Sequence, residues 1–289
     1  MCYNTTILAL SVRKKGVTPM GLFHRKPTEP QNPVIFNEDA ALSSALQTAG
    51  LERYLSLYGK ALPEDRRKDI QIKKRIAERG MEGERLTLHT LMRTPMYMII
   101  LKDLHFLYGT IPTQVDFVVI TDKLIFVLET KNWNADFRID ACGDFISQDT
   151  GKRWKSPLSQ NAEHMEYLSR VYQSFSRNRL DRFYSAVVWA NESAVLDRSE
   201  APEDAVEAIT YVKNLPNFIL ERYNACRLKR MKPAEMQSVA QQLLSYCEEH
   251  SASRKCPICG KDLVLRETDT PFYGCSGYRN GCRYTEQES

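Results

Sequence analysis

The chain has 289 residues, of which 43% are hydrophobic and 26% are charged. This is an ordinary globular composition, sufficient for one sizeable core and a small additional module. Its longest apolar runs are far below membrane-span length, which argues against a membrane-spanning protein. The net charge of +4 is too small to indicate a nucleic-acid ligand by itself.

Residues 1–37 are predicted to be a mobile N-terminal segment followed by a linker. Pro27, Pro30 and Pro33 fall within 11 residues, and such stretches commonly join structured elements. Residues 7–10 are apolar, but basic residues follow them rather than precede them, which is the wrong order for a secretory signal. Four of the eight cysteines are clustered at metal-ligand spacing. A reducing, cytoplasmic compartment is therefore expected.

Residues 38–78 are predicted to form a helical region. Pro63 is followed by two acidic residues, a pattern typical of a helix start, and apolar residues at helical spacing continue from there. Gly80 and Gly83 are expected to interrupt or end this helix. A short helical stretch should then begin at Glu84.

Two apolar runs, residues 115–120 and 124–131, predict neighbouring strands, after a candidate strand at 96–101. They contain three charges, Asp116, Glu129 and Lys131. Burying a carboxylate or an ammonium group without a partner is costly, so charges in core-like strands indicate a site.

The spacing of these charges predicts how they face one another. Side chains alternate along a strand, so Glu129 and Lys131 share a face. If Asp122 and Lys123 form a two-residue turn, Asp116 lies directly opposite Glu129. The turn lacks the usual glycine, and a slip of one residue would move Asp116 to the other face.

Two carboxylates beside a lysine suit phosphodiester hydrolysis. A magnesium or manganese ion held by carboxylates can activate water and neutralise charge on the phosphate. A neighbouring lysine can orient the water or stabilise the transition state. Magnesium keeps several of its waters, so two or three carboxylates are enough.

The rest of the main domain alternates between strands and helices. Strands are predicted at 136–140, 184–189 and 208–212, and helices at 157–176, 216–224 and 233–249. This order predicts an α/β fold with a mixed sheet flanked by helices.

Residues 254–289 form a candidate zinc module. The cysteines Cys256, Cys259, Cys275 and Cys282 have the spacing of a tetrahedral zinc site. So short a segment needs metal to fold. Aromatic and basic residues between the ligands suit contact with DNA, including unpaired strands, or the aromatic rings merely cover the zinc core. The candidate DNA-binding residues are Phe272, Tyr273, Tyr278, Arg279, Arg283 and Tyr284.

This module resembles the four-cysteine zinc finger of bacterial type IA topoisomerases. The resemblance rests on the Cys-Pro-Ile-Cys-Gly knuckle at 256–260, the Phe-Tyr-Gly-Cys-Ser-Gly-Tyr stretch at 272–278 and Cys-Arg-Tyr at 282–284. One extra residue precedes the last cysteine, which changes the loop but no metal ligand.

Residues from about 79 to 190 resemble the nuclease-related (NERD) domain of the PD-(D/E)XK phosphodiesterase superfamily. The matching positions are Gly83-Glu84, residues 114–120, residues 127–132, Trp154, Pro157, Gln160 and His164. The resemblance implies a restriction-endonuclease-like fold, metal ligation by Asp116 and Glu129 with support from Glu84, a catalytic Lys131, and a role for Gln160. Phe117 stands where the family often has histidine.

The sequence is therefore interpreted as a cytoplasmic, nucleoid-associated, magnesium-dependent DNA nuclease. Its predicted domains are a helical region at 38–78, a nuclease domain at 79–250 and a zinc module at 254–289, with roles in DNA processing, repair or defence. Two alternatives stay open, a non-catalytic DNA-binding protein on a nuclease scaffold and an RNA-directed nuclease. His164, Trp133 and Trp154 are ascribed either to packing or to the site.

Overall fold

The computed structural model describes residues 32–176 and 182–287. The predicted mobile segment lies almost entirely outside these residues. The described α-helices are α1 (Ser43–Tyr58), α2 (Glu64–Met92), α3 (Pro157–Phe175), α4 (Glu203–Glu207), α5 (Leu215–Ala225) and α6 (Pro233–Glu249). None of these helices has the length and apolar character needed to cross a membrane.

The described strands form three sheets. The strands are β1 (Val34–Ile35), β2 (Ile99–Tyr108), β3 (Ile111–Ile120), β4 (Ile125–Lys131), β5 (Phe137–Ile139), β6 (Phe145–Ser147), β7 (Arg153–Trp154), β8 (Phe183–Trp189), β9 (Leu196–Asp197), β10 (Ile209–Tyr211), β11 (Leu263–Arg266), β12 (Phe272–Cys275) and β13 (Thr285–Gln287). The central sheet has the order β1-β2-β3-β4-β8-β10. A four-stranded sheet has the order β7-β6-β5-β9, and β11-β12-β13 form a small third sheet.

The central sheet is mixed and is covered by helices on both faces. Strands β2, β3 and β4 pair antiparallel, whereas β4, β8 and β10 run parallel. One face packs against α3 and α6, and the other packs against the end of α2 and against α5. The predicted α/β class, with a mixed sheet flanked by helices and a small C-terminal cysteine module, is confirmed.

The β3–β4 hairpin has the register predicted from the sequence. Val118 pairs with Val127 and Ile120 pairs with Ile125, so Asp116 and Glu129 fall at facing positions. The turn forms without glycine because the backbone and side chain of Thr121 both form hydrogen bonds with Leu124. The Thr121 amide and hydroxyl donate to the Leu124 carbonyl, and the Leu124 amide donates to the Thr121 hydroxyl, each at 2.8 Å.

Helix α2 corrects one expectation. It continues without a break through Gly80 and Gly83, so no separate helical stretch begins at Glu84. Gly83 serves close packing instead of ending the helix, since a Cβ there would lie 2.8 Å from the Cβ of Asn132 and 3.3 Å from Thr130. Strand β2 also extends beyond the expected 96–101, as far as Tyr108.

The zinc module packs directly on the α1–α2 hairpin. Tyr284 is only 1% exposed and shares an apolar cluster with Leu51 and Ile70. A Cβ at Gly50 of α1 would lie 2.5 Å from the Tyr284 hydroxyl and 2.9 Å from the Thr285 carbonyl. Glycine at this position therefore permits the close contact between α1 and β13.

Candidate active site and zinc site

The predicted charged residues meet in one cleft. Asp116 on β3, Glu129 and Lys131 on β4, and Glu84 on α2 all line a cavity of about 870 Å³. The three strand residues share the sheet face that packs against α3, because they alternate in step with Val118 and Val127. Glu84 reaches the same cleft because the adjacent Gly83 lets α2 approach the end of β4.

Each charged group of this cleft has a defined partner. The Lys131 ammonium donates to Glu129 Oε1. Asp116 Oδ2 accepts a hydrogen bond from the Thr130 amide at 2.7 Å. Glu84 Oε2 accepts one from the Ser44 hydroxyl at 2.6 Å. The lysine and the three carboxylates are thus fixed by neighbours before any ligand binds.

The carboxylates are buried close to one another, and their pKa values reflect this. Burial raises the pKa of Glu84 to about 7, against the opposing hydrogen bond from Ser44, and the charges of Asp103 and Glu129 add to the rise. Burial raises the pKa of Asp116 well above its usual range, and the charges of Glu129 and Glu84 raise it further. A divalent cation would neutralise such a set of mutually repelling oxygens.

The three carboxylates of the cleft do not form a compact three-ligand group. Among the described residues, the four cysteines are the only group of three or more potential ligands whose donor atoms all lie within 4.8 Å of one another. The oxygens of Glu84, Asp116 and Glu129 do not close on one point in this way. Magnesium retains several waters, so two carboxylates would be enough as direct ligands, with a third acting through water.

Helix α3 contributes two residues near the site. Gln160 lines the cleft. His164, one turn further along, is 7% exposed, and its Nδ1 lies 3.7 Å from Glu129 Oε2 without forming a hydrogen bond. Burial lowers the pKa of His164, which favours the neutral imidazole. His164 therefore packs behind Glu129 and does not line the cleft.

A polar network that the sequence analysis missed lies next to Glu84. Asp103 accepts hydrogen bonds from the Ser43 amide at 2.8 Å and from the Ser43 hydroxyl at 2.7 Å, and its other oxygen lies 3.0 Å from His105 Nε2. Burial acts to raise the pKa of Asp103, but the hydrogen bonds from His105 and Ser43 outweigh it and hold that pKa below its usual value. Asp103 has a φ of 52°, unusual for a non-glycine residue. In the sequence, the only indication of this network was that Asp103 interrupts the apolar pattern of β2.

The cysteine cluster fits zinc. Cys256 Sγ lies 3.6 Å from Cys282 Sγ, and Cys259 Sγ lies 3.3 Å from Cys275 Sγ. Sulfurs about 2.3 Å from a tetrahedral ion are roughly 3.8 Å apart, so one ion would sit among them. Burial raises the pKa of Cys256 far above its usual range, and a bound cation is what would let such a thiol ionise.

The predicted DNA-binding residues of the module differ in their exposure. Tyr278, Arg279 and Arg283 are exposed, with the Arg283 guanidinium 4.0 Å from the Tyr278 ring centroid. Phe272 and Tyr273 are half-buried, and the Arg254 guanidinium lies 5.0 Å from the Tyr273 ring centroid. Tyr284 is a correction. It is buried against α1 and its hydroxyl donates to Glu286 at 2.8 Å, so its ring cannot stack on a base.

Comparison with known families supports the nuclease resemblance for part of the chain. Residues 79–190 match the nuclease-related domain, NERD. The match includes Glu84, Asp116, Glu129, Lys131 and Gln160, but covers less than half of the chain and stops before the zinc module. No curated protein and no solved structure matches this chain. The match indicates a nuclease-related function.

Proposed function

We propose that this protein is a magnesium-dependent nuclease that hydrolyses phosphodiester bonds of DNA. The observation that carries the proposal is the presence of half-buried Asp116 and buried Glu129 in one cleft, with the Lys131 ammonium in contact with Glu129. A scaffold without catalytic function has no reason to keep this costly arrangement, because burying a charge is unfavourable unless it is paired or binds a metal. The match to the nuclease-related domain supports the same conclusion.

Each residue of the cleft has a proposed role. When bound by Asp116 and Glu129, the metal supplies an activated water and charge neutralisation at the phosphate. Lys131 is positioned by Glu129 and places a positive charge where negative charge develops. Gln160 offers an amide to hold the water or a phosphate oxygen. Glu84, held by Ser44, would accept hydrogen bonds from water in the cleft.

The zinc module is proposed to bind the same substrate. Tyr278, Arg279 and Arg283 form an exposed aromatic and basic surface on it. Such surfaces contact nucleic acid through base stacking and phosphate contacts. Attachment to the core raises the local substrate concentration at the cleft. The likeness of this module to topoisomerase zinc fingers supports DNA as the ligand.

The proposed activity is tested by incubating the purified protein with supercoiled, linear and single-stranded DNA, in magnesium, in manganese and without either ion. Cleavage that requires the ion is expected. Lys131→Met should reduce cleavage at least 100-fold, because it removes a charge that stabilises the transition state, without weakening DNA binding. Lys60→Met, a change at an exposed lysine outside the cleft, is the matched control.

Two outcomes would replace the proposal. Binding of DNA without cleavage under any ion would favour a non-catalytic DNA-binding protein. Faster cleavage of an RNA strand than of a DNA strand of the same sequence would identify an RNA-directed nuclease. Equal cleavage by wild-type and Lys131→Met protein would remove Lys131 from the mechanism.

A further inference from the structure

One wall of the cleft carries an aromatic surface that the proposed chemistry does not use. Trp133 and Trp154 both line the cleft, with ring centroids 5.1 Å apart. Trp154, on the two-residue edge strand β7, is 42% exposed. Lys131 Nζ lies 5.8 Å from the Trp133 ring centroid, so this aromatic wall adjoins the proposed catalytic lysine.

A second wall of the cleft comes from the end of the linker and from the zinc module. Residues 252–255 and Glu286 line the same cleft. Glu286 is buried, and its Oε2 lies 3.6 Å from Arg254 Nη1, an atom that forms no hydrogen bond. Lys255 is exposed and pairs with Asp262. Two cations, each paired with a carboxylate, therefore line this part of the cleft.

The packing of the zinc module on α1 fixes the position of the second wall relative to the proposed metal site. The burial of Tyr284 against Leu51 and the close contact at Gly50 fix β13 to α1. Ser43 and Ser44 at the start of the same helix bond Asp103 and Glu84 at the proposed metal site. Through α1, the position of Arg254 and Lys255 is tied to the position of the carboxylates.

We propose that the space between the core and the zinc module is a channel for an unpaired nucleic acid strand, in which a base stacks on Trp154 and the backbone is held by Arg254 and Lys255. The proposal rests on the proposed function, because it places the strand's phosphate at the carboxylates. It goes further in naming the substrate as single-stranded.

The chemistry of the walls selects an unpaired strand. An exposed indole binds the face of a base, and such stacking is worth about 1–3 kcal/mol per base. In a duplex each base face is already covered by its neighbours, so Trp154 gains nothing there. Cations on the other wall neutralise phosphates and make binding sensitive to salt.

The stacking half of the proposal is tested by the affinity of labelled single-stranded and duplex oligonucleotides for Lys131→Met protein without magnesium, measured by fluorescence anisotropy. Adding Trp154→Ala should weaken single-strand binding about 5- to 150-fold, the equivalent of 1–3 kcal/mol. Trp154→Phe, which keeps a stacking face, should restore most of the affinity, and duplex binding should not change. Equal affinity of the parent and Trp154→Ala proteins for the single strand would overturn the proposal.

The backbone half is tested by the salt dependence of single-strand binding. Loss of one phosphate contact lowers the slope of log K against log salt by about 0.7. We expect this reduction for Lys255→Gln, which alters an exposed side chain, and again for Arg254→Gln. The control is Arg85→Gln with Arg93→Gln, two exposed cations of α2 and its C-terminal end outside the cleft. An unchanged slope for Lys255→Gln and Arg254→Gln would overturn the proposal.

The binding and cleavage readouts are independent. Absence of cleavage by the wild-type protein on every nucleic acid would contradict the proposed function. Preference for the single strand, lost with Trp154 and with the two cations, would still support the channel. Binding of duplex as tightly as single strand, with the same losses in the variants, would identify a duplex groove instead and overturn the channel.

Discussion

The buried carboxylates of the cleft lower the stability of the metal-free protein. When ionised, Glu84, Asp116 and Glu129 repel one another, and the lysine in contact with Glu129 compensates for only part of this repulsion. Burial and mutual repulsion both disfavour the ionised forms. A cation bound in the cleft would therefore offset the electrostatic cost of ionising these carboxylates.

Asp116→Asn should stabilise the metal-free protein. The asparagine oxygen can still accept the hydrogen bond from the Thr130 amide, while the repulsion from Glu129 and Glu84 disappears. We expect the free energy of unfolding in magnesium-free urea titrations to rise by about 1–2 kcal/mol. Magnesium should raise the Tm of the wild type but not of the variant. The control Asp149→Asn, at an exposed residue, should change neither quantity, and a lower stability for Asp116→Asn would contradict this reasoning.

The stability of the metal-free protein should also depend on pH through Glu84. Its pKa is about 7 in the folded protein and 4.5 as a model value. The folded state thus binds more protons between these values, so the free energy of unfolding falls as pH rises through this range.

Glu84→Gln should make that fall shallower by up to about 3 kcal/mol between pH 4.5 and 8, as 1.36 kcal/mol per pKa unit implies. Urea unfolding at a series of pH values without magnesium measures the difference. Glu82→Gln, at an exposed neighbour on the same helix, should retain the wild-type dependence. Parallel curves for the wild type and Glu84→Gln would exclude Glu84 as the source.

For individual residues, the sequence predicted those spatial arrangements that depend on nearby positions in the chain. Glu129 and Lys131 share a face because they are two positions apart, and Asp116 joins them through a tight turn. The contacts of Ser43 with Asp103 and of Ser44 with Glu84 span 60 and 40 positions. No periodicity relates such residues. Tyr284 was misassigned because an aromatic ring in a zinc module can face either solvent or a docking partner.

At the scale of elements, α2 is the part of the fold that the sequence described least well. Glycine lowers helix propensity by about 1 kcal/mol, and two glycines were therefore interpreted as an interruption. The packing of α2 on both the zinc module and the sheet outweighs this cost. The β3–β4 hairpin was predicted in its register because alternation and turn length fix it without information from distant residues.

The two glycines of α2 should respond differently to alanine. Gly83→Ala places a Cβ 2.8 Å from Asn132, which should separate α2 from β4 and destabilise the protein by about 1–3 kcal/mol. Cleavage should also fall, because Glu84 would shift. At Gly80 the nearest side-chain atom would be 3.6 Å away, so Gly80→Ala should be neutral or stabilising by up to about 1 kcal/mol. Thermal unfolding of both variants checks this, and equal effects would refute the packing role of Gly83.

At the scale of the whole molecule, the zinc module is part of the main structure. It shares an apolar cluster with α1 and α2 and contributes to the cleft of the carboxylates. The sequence could identify this module from its ligand spacing, but it could not show where the module packs. The position of the module depends on shape complementarity, chiefly on the close packing of Tyr284 against Gly50.

Loss of zinc should therefore destabilise α1. Cys256→Ser removes a buried ligand, and we expect the module to unfold and release α1. Amide hydrogen exchange around Gly50 and Leu51 should accelerate at least tenfold, as loss of more than about 1.4 kcal/mol of local stability implies. Cys142→Ser, at an exposed cysteine outside the module, is the control. Unchanged exchange in α1 after zinc loss would show that the module and the core are independent.

The length of α2 gives this arrangement a mechanical consequence. Ile70 shares an apolar cluster with the zinc module, and Glu84 lines the cleft of the carboxylates. The 14 helical steps from Ile70 to Glu84 span about 21 Å of one unbroken helix. A helix of this kind acts as a stiff lever. A tilt of about 3° at the module end would displace the Glu84 end by about 1 Å, enough to alter the hydrogen bonds of a bound ion. A ligand that shifts the zinc module would therefore also shift Glu84 at the proposed metal site.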